Sequence, residues 1–600
     1  MSNGLDFLED LSPSPSAYHA AVRRLRSGPA AQLKPLRIAV AASFTAGPLG
    51  NYLEVEGARR GFHLQPWFAP YGQFELQCST PESALFAGRP DVVAIATRLE
   101  DLAPSLWHDW EALSELEREQ LAAQACDRIA QSIDAVISTR ACPVVVFNFC
   151  EPSNGSWGVR RSPARIVEFA NARLDRIASE RPGVTVFDFA RLALELGLRQ
   201  VFDARLEYVS RMPFGVPAQI AIAKGLARLI RAIHVPPAKC LAVDLDDTLW
   251  GGILGEVGRG GIALGQDYPG RVYRDFQSAL RALRQRGILL AIASKNNEAE
   301  VREVFAHHLD MVLRWEDFAA TQIHWGDKAG SLRAIAEQLR IGLDALAFYD
   351  DSPVEREWVR SELPEVNVIE VPTDPLQRTA ALGACEAFDQ VAVSAEDRRR
   401  ATLYADDRQR EAARAQSPNL TAFLSTLGIR VTVGPVDRAT LPRVAQLIHK
   451  TNQFNLTGRR YAEPELQAQL DGGAIACWLR AADRFGDYGL VGAAIAVAEG
   501  SASWRIDSFV LSCRILGRQV ERALLAAIAQ RAGACGAERL IGEFADTGRN
   551  APARDFYAGV GFEAEGGRWV WEFSRGAIEH PAHLSLEVPD VGSQQRGCPQ

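Results

Sequence analysis

The sequence predicts an α/β protein built from successive domains, and three observations carry that expectation. Apolar, strand-like runs alternate with helical patterns up to about residue 235 and again from Cys240, which implies parallel sheets. One of those runs ends in Asp244-Leu245-Asp246-Asp247-Thr248, which places two acids, one residue apart, at a strand terminus. A chain of 600 residues is also too long for a single core.

Residues 1–33 are polar and rich in Ser, Pro and Arg, and predict a flexible arm. Residues 34–235 predict the first α/β domain. Its strands fall at Leu36–Ala42, Asp91–Ala96, Pro143–Phe147 and Val184–Phe187. Helices at Trp107–Ile137 and Ala164–Ser179 separate them, and an apolar helix at Ile220–Ile233 closes the domain. Val235-Pro236-Pro237 marks the boundary, because consecutive prolines interrupt both helix and ladder.

Residues 236–385 repeat the pattern, with strands at Cys240–Leu245, Ile288–Ala293, Met311–Leu313, Leu346–Tyr349 and Val366–Glu370. Residues 386–424 predict a helical linker, charged over Ala395–Gln416 and carrying Arg398-Arg399-Arg400 on a solvated face. Residues 425–577 predict an α+β domain that opens on strand Ile429–Val433 and ends on strand Trp569–Phe573. Residues 578–600 predict a disordered tail. No internal repeat is evident.

The net charge of -8 argues against nucleic acid as the main partner, since phosphate backbones need a basic face. No apolar stretch approaches the roughly 18 residues that span a bilayer, so no membrane partner is expected. Met1 to Asp6 shows neither the basic nor the apolar region of a signal peptide. The ten cysteines are scattered without metal-ligand spacing, as expected for reduced thiols. A cytoplasmic location follows as the expectation.

Clustered carboxylates repel and raise each other's pKa, and a bound cation relieves that cost. Asp244-Leu245-Asp246-Asp247-Thr248 resembles the first motif of the haloacid dehalogenase (HAD) superfamily. Three further stretches follow in the order of that pattern. They are Ile292-Ala293-Ser294-Lys295-Asn296, Trp325-Gly326-Asp327-Lys328, and Phe348-Tyr349-Asp350-Asp351-Ser352. The resemblance implies Asp244 as nucleophile and Asp246 as acid/base, with Ser294 and Lys328 gripping the phosphoryl group. It also implies Mg²⁺ held by Asp244, the Asp246 carbonyl, and Asp350 or Asp351. Only 50 positions separate Asp244 from Ser294. That leaves room for a flap and one helix, so a capless domain with an open mouth is expected.

From about residue 236 to 575 the chain resembles FkbH-like proteins. The motifs include Trp250-Gly251-Gly252, Leu313–Ala320, Lys450-Thr451-Asn452-Gln453-Phe454-Asn455-Leu456-Thr457 and Ser512-Cys513-Arg514-Ile515-Leu516-Gly517-Arg518. His324 and Ser352 stand where that family has Asn, and Gly458 where it has Thr. The C-terminal domain resembles the GNAT fold. Arg514, Gly517 and Arg518 fall at its phosphate-binding loop, and Tyr557 at the position of a thiolate-protonating phenol. Gln519 replaces the small residue expected at the end of that loop. The N-terminal domain resembles the SGNH hydrolase fold, with Ser43 at the nucleophile position and Asn148 or Asn154 as oxyanion donors. No Asp-x-x-His supplies a base there, so Ser43 is read as a turn or cap residue.

The resemblance implies an enzyme that dephosphorylates 1,3-bisphosphoglycerate and loads the glyceryl group onto the phosphopantetheine arm of an acyl carrier protein. That product feeds methoxymalonyl or tetronate units of polyketide synthesis. An enzyme thiol is expected to hold the glyceryl group. Cys513, beside Arg514, is favoured over Cys240, which lies roughly 13 Å down the sheet from Asp244. Two other readings stay open: a capless phosphatase of phosphoproteins or small phosphates with an inert GNAT-like domain, and a non-enzymatic scaffold that docks carrier proteins.

Overall fold

A computed structural model of the chain describes residues 5–151, 163–391, 410, 414, 419–500 and 502–587. The chain divides into two compact units, Met1–Val235 with Ala462–Ala468, and Pro236–Tyr461 with Gln469–Gln600.

The first unit is a five-stranded, wholly parallel sheet. Its strands are β1 (Lys34–Ala42), β2 (Phe62–Phe68), β3 (Val92–Ala96), β4 (Val144–Phe147) and β5 (Val184–Phe187), in the order β2-β1-β3-β4-β5. Val92–Ala96 is buried at every position, as a strand covered on both faces must be.

The N-terminal segment is not the expected arm. Pro15–Arg26 is a helix capped by Ser14, and it buries Tyr18, Ala21, Val22 and Leu25. Those positions are spaced three, one and three apart, a single apolar stripe. The Tyr18 hydroxyl donates to buried Glu56, whose charge is answered by Arg59 and Arg60.

In the second unit, the central sheet runs β10-β9-β6-β7-β8 and is again all parallel. Its strands are β6 (Cys240–Val243), β7 (Leu289–Ser294), β8 (Phe318–Ile323), β9 (Leu346–Tyr349) and β10 (Asn367–Val368). Strand β6 lies in the middle, so Asp244 emerges at the carboxyl edge of the sheet, where open α/β folds place ligands. The expected strand at Met311–Leu313 is absent. The N–H groups of Val312 and Leu313 donate to the buried side-chain oxygen of Gln277 at 3.0 and 3.2 Å, which satisfies the backbone without a ladder. The ladder instead takes Phe318–Ile323.

The remaining strands are β11 (Ile429–Pro435), β12 (Ile475–Asp483), β13 (Gly486–Ala498), β14 (Ser503–Leu511), β15 (Arg539–Gly542), β16 (Glu563–Glu565), β17 (Arg568–Glu572) and β18 (Leu584–Glu587). They form one mixed, eight-stranded sheet in the order β16-β17-β15-β14-β13-β12-β11-β18, the expected α+β pattern. Strand β18 falls within the predicted tail: Leu584 is buried and the strand pairs in parallel with β11. Within the predicted linker, Arg410 is buried rather than solvated. It binds Asp483 through two nitrogens, each at 2.8 Å. Arg398-Arg399-Arg400 and Asn154 lie outside the described residues.

One titratable group gives the first unit an acid-sensitive contribution. Burial, and then the ammonium of Lys34, pull the His234 imidazole down to about 4. The unfolded chain takes up this proton near pH 6.5, and the folded one resists until about pH 4. The His234 contribution to stability is therefore complete above pH 6.5 and falls as the pH drops through that window, by up to about 3 kcal/mol. Glu100, which burial raises to about 7, acts with the opposite sign over the same range. The change in urea midpoint from pH 7 to pH 4.5 should therefore be more unfavourable in the wild type than in His234→Gln.

Candidate active site

The carboxyl edge of the central sheet gathers four charged side chains. Asp244 follows β6, and its N–H donates to the Tyr349 carbonyl at 3.0 Å, which ties the ends of β6 and β9 together. Asp350 and Asp351 follow β9. Carboxylate oxygens of Asp244, Asp350 and Asp351 lie within 4.8 Å of one another. Lys328 opens the helix Lys328–Gln338, which Asp327 caps by accepting from Gly330. Its ammonium is 2.9 Å from Asp244 and 3.0 Å from Asp350, and it donates to the Ala293 carbonyl at 2.6 Å. Both Lys328 and Asp350 are almost wholly withdrawn from solvent, at 2% and 0% exposed.

The electrostatics follow from that burial. Desolvation, and then the neighbouring Asp244, push the Asp350 carboxyl up, with Lys328 opposing. Asp351 is raised by the same two causes. Burial lowers the Lys328 ammonium, but Asp244 and Asp350 outweigh it and hold the group above the ordinary lysine value. Lys328 is in direct contact with Asp244 and Asp350, and Arg378 acts on Asp351 from farther off, so three carboxylates still outnumber the positive charge. Hard oxygen donors gathered this closely fit Mg²⁺.

Asp246 points elsewhere. Its carboxylate accepts from the Trp250 indole at 2.9 Å, the Leu254 N–H at 3.1 Å and the Asn296 amide at 3.0 Å, so it stands outside the metal-ligating cluster. Burial raises its pKa against those hydrogen bonds. A carboxyl that is oriented and raised suits an acid/base role. Ser294, buried, ends β7, and its carbonyl accepts from the His324 N–H.

Several residues position the site, of which Arg356 and Arg378 lie outside the motifs. Thr248 donates to Asp351 at 3.3 Å, and Arg356 donates to the carbonyls of both Asp350 and Asp351 at 2.8 Å. Asp247 takes a left-handed φ of 48°, turning the chain out of β6 into the flap, and Arg378 donates to its carbonyl. In the flap Gly251 pairs with Ala263, and a Cβ on Gly251 would stand 2.7 Å from the Tyr273 ring. That contact accounts for the glycine.

The C-terminal domain differs from expectation. Strands β14 and β15 pair only from Ser503 to Arg505 and then separate. The chain's own Phe454-Asn455-Leu456 fills the gap. Leu456 N–H donates to Phe509, Leu511 N–H to Phe454, and Ala545 N–H to Leu456, at 3.1, 3.0 and 2.8 Å. Asn550, fully buried, locks this plug by donating to the carbonyls of Asn455 and Ala545 and accepting from Thr547.

Tyr557 is 0% exposed, packed where a Cβ on Gly542 would meet its ring at 2.5 Å. Burial raises its phenol far above the ordinary range. Tyr557 is thus a core residue whose hydroxyl is buried without a hydrogen-bond partner, rather than an open phenol. Gly517 is exposed with a φ of 78°, and Gln519 shares the left-handed region at 62°. Arg518 is buried and donates to the Leu516 carbonyl at 3.1 Å.

Nor are the two candidate reaction centres brought together. Cys513 and Arg514 line a cavity with Lys239, the residue before β6. Asp244 stands at the other end of that strand, five residues on, roughly 16 Å away. Cys240 is fully buried, and its burial raises the thiol pKa. In the first unit, Ser43 donates to Asp101 at 2.6 Å rather than to a histidine, and Asn148 is spent on Asp188 and Ala190.

Two substitutions test these arrangements. Lys328→Met should lower the stability of the metal-free protein by about 3 kcal/mol, because two buried carboxylates lose their counter-charge. Mg²⁺ should restore part of it in urea denaturation. Asn550→Ala should cost about 2 kcal/mol and speed hydrogen exchange at the Leu456 and Leu511 amides.

Residues 37–230 match the family model described as FkbH, N-terminal domain. Among curated proteins no sequence matches the chain. Among solved structures, the N-terminal part of a Bacteroides fragilis protein, containing a phosphatase domain complexed with Mg, is 27% identical with a TM-score of 0.55. It covers 62% of this chain, which covers 98% of it. A Desulfovibrio desulfuricans protein assigned to the GNAT acetyltransferase family is 18% identical, with a TM-score of 0.20 over 24% of this chain and 98% of its own. A spermidine N-acetyltransferase from Vibrio cholerae is 14% identical, with a TM-score of 0.19 over 24% and 96%. The chain thus carries a match to the FkbH N-terminal domain over residues 37–230, followed by a HAD-type α/β domain and an α+β domain.

Proposed function

We propose that this protein is a Mg²⁺-dependent HAD-type phosphatase that removes phosphate from 1,3-bisphosphoglycerate and delivers the glyceryl group to an acyl carrier protein. The observation that carries the reading is the buried Lys328 ammonium set between Asp244 and Asp350, with Asp351 beside them. Support also comes from the Bacteroides fragilis structure, whose phosphatase domain was complexed with Mg.

Asp244 attacks the phosphorus of the carbon-3 ester and forms an aspartyl-phosphate as the bond to the carbon-3 oxygen breaks. Asp246 gives that oxygen its proton, then takes one from the water that attacks the aspartyl-phosphate and frees phosphate. The carbon-1 acyl phosphate stays intact, and the carrier thiol later attacks its carbonyl, forming the thioester as the C–O bond to the second phosphate breaks. Lys328 and Ser294 hold the phosphoryl oxygens. Mg²⁺, held by Asp244, the Asp246 carbonyl and Asp350 or Asp351, supplies charge neutralisation when bound.

Cys513 lies at the other end of the sheet, so the glyceryl group does not pass by a direct hop from the phosphotransfer centre to that thiol. The carrier's own phosphopantetheine arm is the better vehicle between the two. A second reading has an observation of its own: the plugged gap and the sealed Tyr557 favour a phosphatase whose C-terminal domain does no acyl chemistry.

Incubation with 1,3-bisphosphoglycerate, Mg²⁺ and a carrier protein, followed by intact mass measurement of the carrier, separates these. A glyceryl mass shift supports the first reading. Phosphate release without a shift supports the second. In either, Asp244→Asn should reduce phosphate release by about a thousandfold or more. Equal rates in wild type and Asp244→Asn would leave only a docking scaffold.

A further inference from the structure

The helix Ala204–Ser210 in the first unit buries none of its residues. It belongs to an excursion from Asp203 to Pro213 whose ends are pinned together. Phe202 and Phe214 pair as a bridge, and the Asp203 N–H donates to the Pro213 carbonyl at 2.8 Å. Compact loops closed in this way frequently carry function. The Asp203 side chain caps the helix. Two contacts fix it at the carboxyl edge of the sheet. Glu207 meets Arg98, just past β3, at 2.9 Å, and the N–H of Thr45, just past β1, donates to the Arg211 carbonyl at 2.9 Å. Arg211 takes a left-handed φ of 57°, where a helix end favours glycine. Ordering this helix costs entropy and the core gains nothing from it, so the outer face is where a benefit would arise.

That face is apolar and basic. Arg205, Tyr208 and Val209 are spaced i, i+3 and i+4, so they share one side of the helix, turned away from Glu207. Tyr208 is 82% and Val209 78% exposed. The guanidinium groups of Arg205 and Arg211 have no hydrogen-bond or ion-pair partner among the described residues. A complement lies on the same edge. The helix Glu115–Thr139 leads into the start of β4, so in this parallel sheet its first turn stands on the carboxyl side. Leu116 there is 64% exposed. Glu115 meets only the exposed Arg165, at 3.1 Å, and Glu119 has no partner among the described residues. From Glu111 to Glu119 four carboxylates stand beside one guanidinium, Arg118, which is turned onto the Trp110 carbonyl and ring.

We propose that these two faces meet between copies of the chain. Arg205 and Arg211 of one copy bind Glu115 and Glu119 of a second, with Tyr208 and Val209 against Leu116. Because both faces lie on one edge of one sheet, a two-fold axis repeats the contact and closes a dimer. Arginine holds a carboxylate through two parallel hydrogen bonds, and Tyr and Arg are prominent among the residues that carry binding energy at protein interfaces. Nucleic acid, another anionic partner, needs a basic face larger than two arginines. The dimer uses no residue of the phosphotransfer centre, so it goes beyond the proposed reaction and does not rest on it.

Sedimentation velocity of the full chain over a wide range of concentrations tests this. The sedimentation coefficient should rise with concentration to that of a dimer, and added salt should weaken the association. Arg205→Glu combined with Arg211→Glu should weaken it about tenfold, a 1.4 kcal/mol effect. Glu115→Arg combined with Glu119→Arg should do the same. All four changes together should recover most of the affinity, because the charges are exchanged rather than removed, and that recovery separates lost docking from lost folding. Tyr208→Ser should weaken the dimer without changing its response to salt. A monomer at every concentration would overturn the proposal. So would a dimer that neither charge reversal weakens, or a four-site variant that stays as weak as the two it combines.

Discussion

The contact on which the central domain depends is the buried Lys328 ammonium lying between Asp244 and Asp350. Three sheet strands and a helix converge on it. Asp244 comes from β6 and Asp350 from β9, Lys328 begins a helix, and the Ala293 carbonyl that accepts from its ammonium belongs to β7. Taking an ammonium and two carboxylates out of water is unfavourable in itself, and their mutual attraction offsets that cost only when the geometry is held. The loop carrying Asp350 and Asp351 is accordingly clamped by Arg356 through two carbonyls, and the turn after β6 by Arg378. The rigidity that keeps the charges apart from water is the same rigidity that keeps nucleophile, acid and phosphate grip in register.

A second constraint arises because the central sheet has two ends. Parallel strands deliver all their carboxyl termini to one edge and all their amino termini to the other. Asp244 uses the first edge, and the cavity with Cys513 uses the second. A strand from Cys240 to Val243, buried on both faces, separates them, and no side chain spans that length. Chemistry that needs both edges needs a mobile carrier, so this topology favours division of labour over a shared active site.

The central motifs were legible because each joins an apolar strand to a charged turn, a combination that local sequence displays. The order of Asp244, Ser294, Lys328 and Asp350 along the chain carried the HAD resemblance that implied their convergence, and the structure brings Asp244, Lys328 and Asp350 into contact. The helix Pro15–Arg26 was hidden by its polar composition, although Tyr18, Ala21, Val22 and Leu25 form a helical stripe. Met311 and Leu313 read as strand because they are apolar and buried, yet one distant glutamine, Gln277, satisfies the backbone there. The plug was hidden for a deeper reason: Asn550 reaches back 95 residues to the Asn455 carbonyl, and no local pattern reports such a pairing.

That plug also restricts the routes open to a thiol ligand. Two parallel strands that diverge expose unpaired N–H and C=O groups along both inner edges, and an extended molecule can bind there by completing the ladder. In this chain Phe454-Asn455-Leu456 already makes those hydrogen bonds, to Phe509 and Leu511 on one side and Ala545 on the other. An incoming arm would have to displace three backbone hydrogen bonds and the buried Asn550 amide, and it would gain nothing the plug does not already supply.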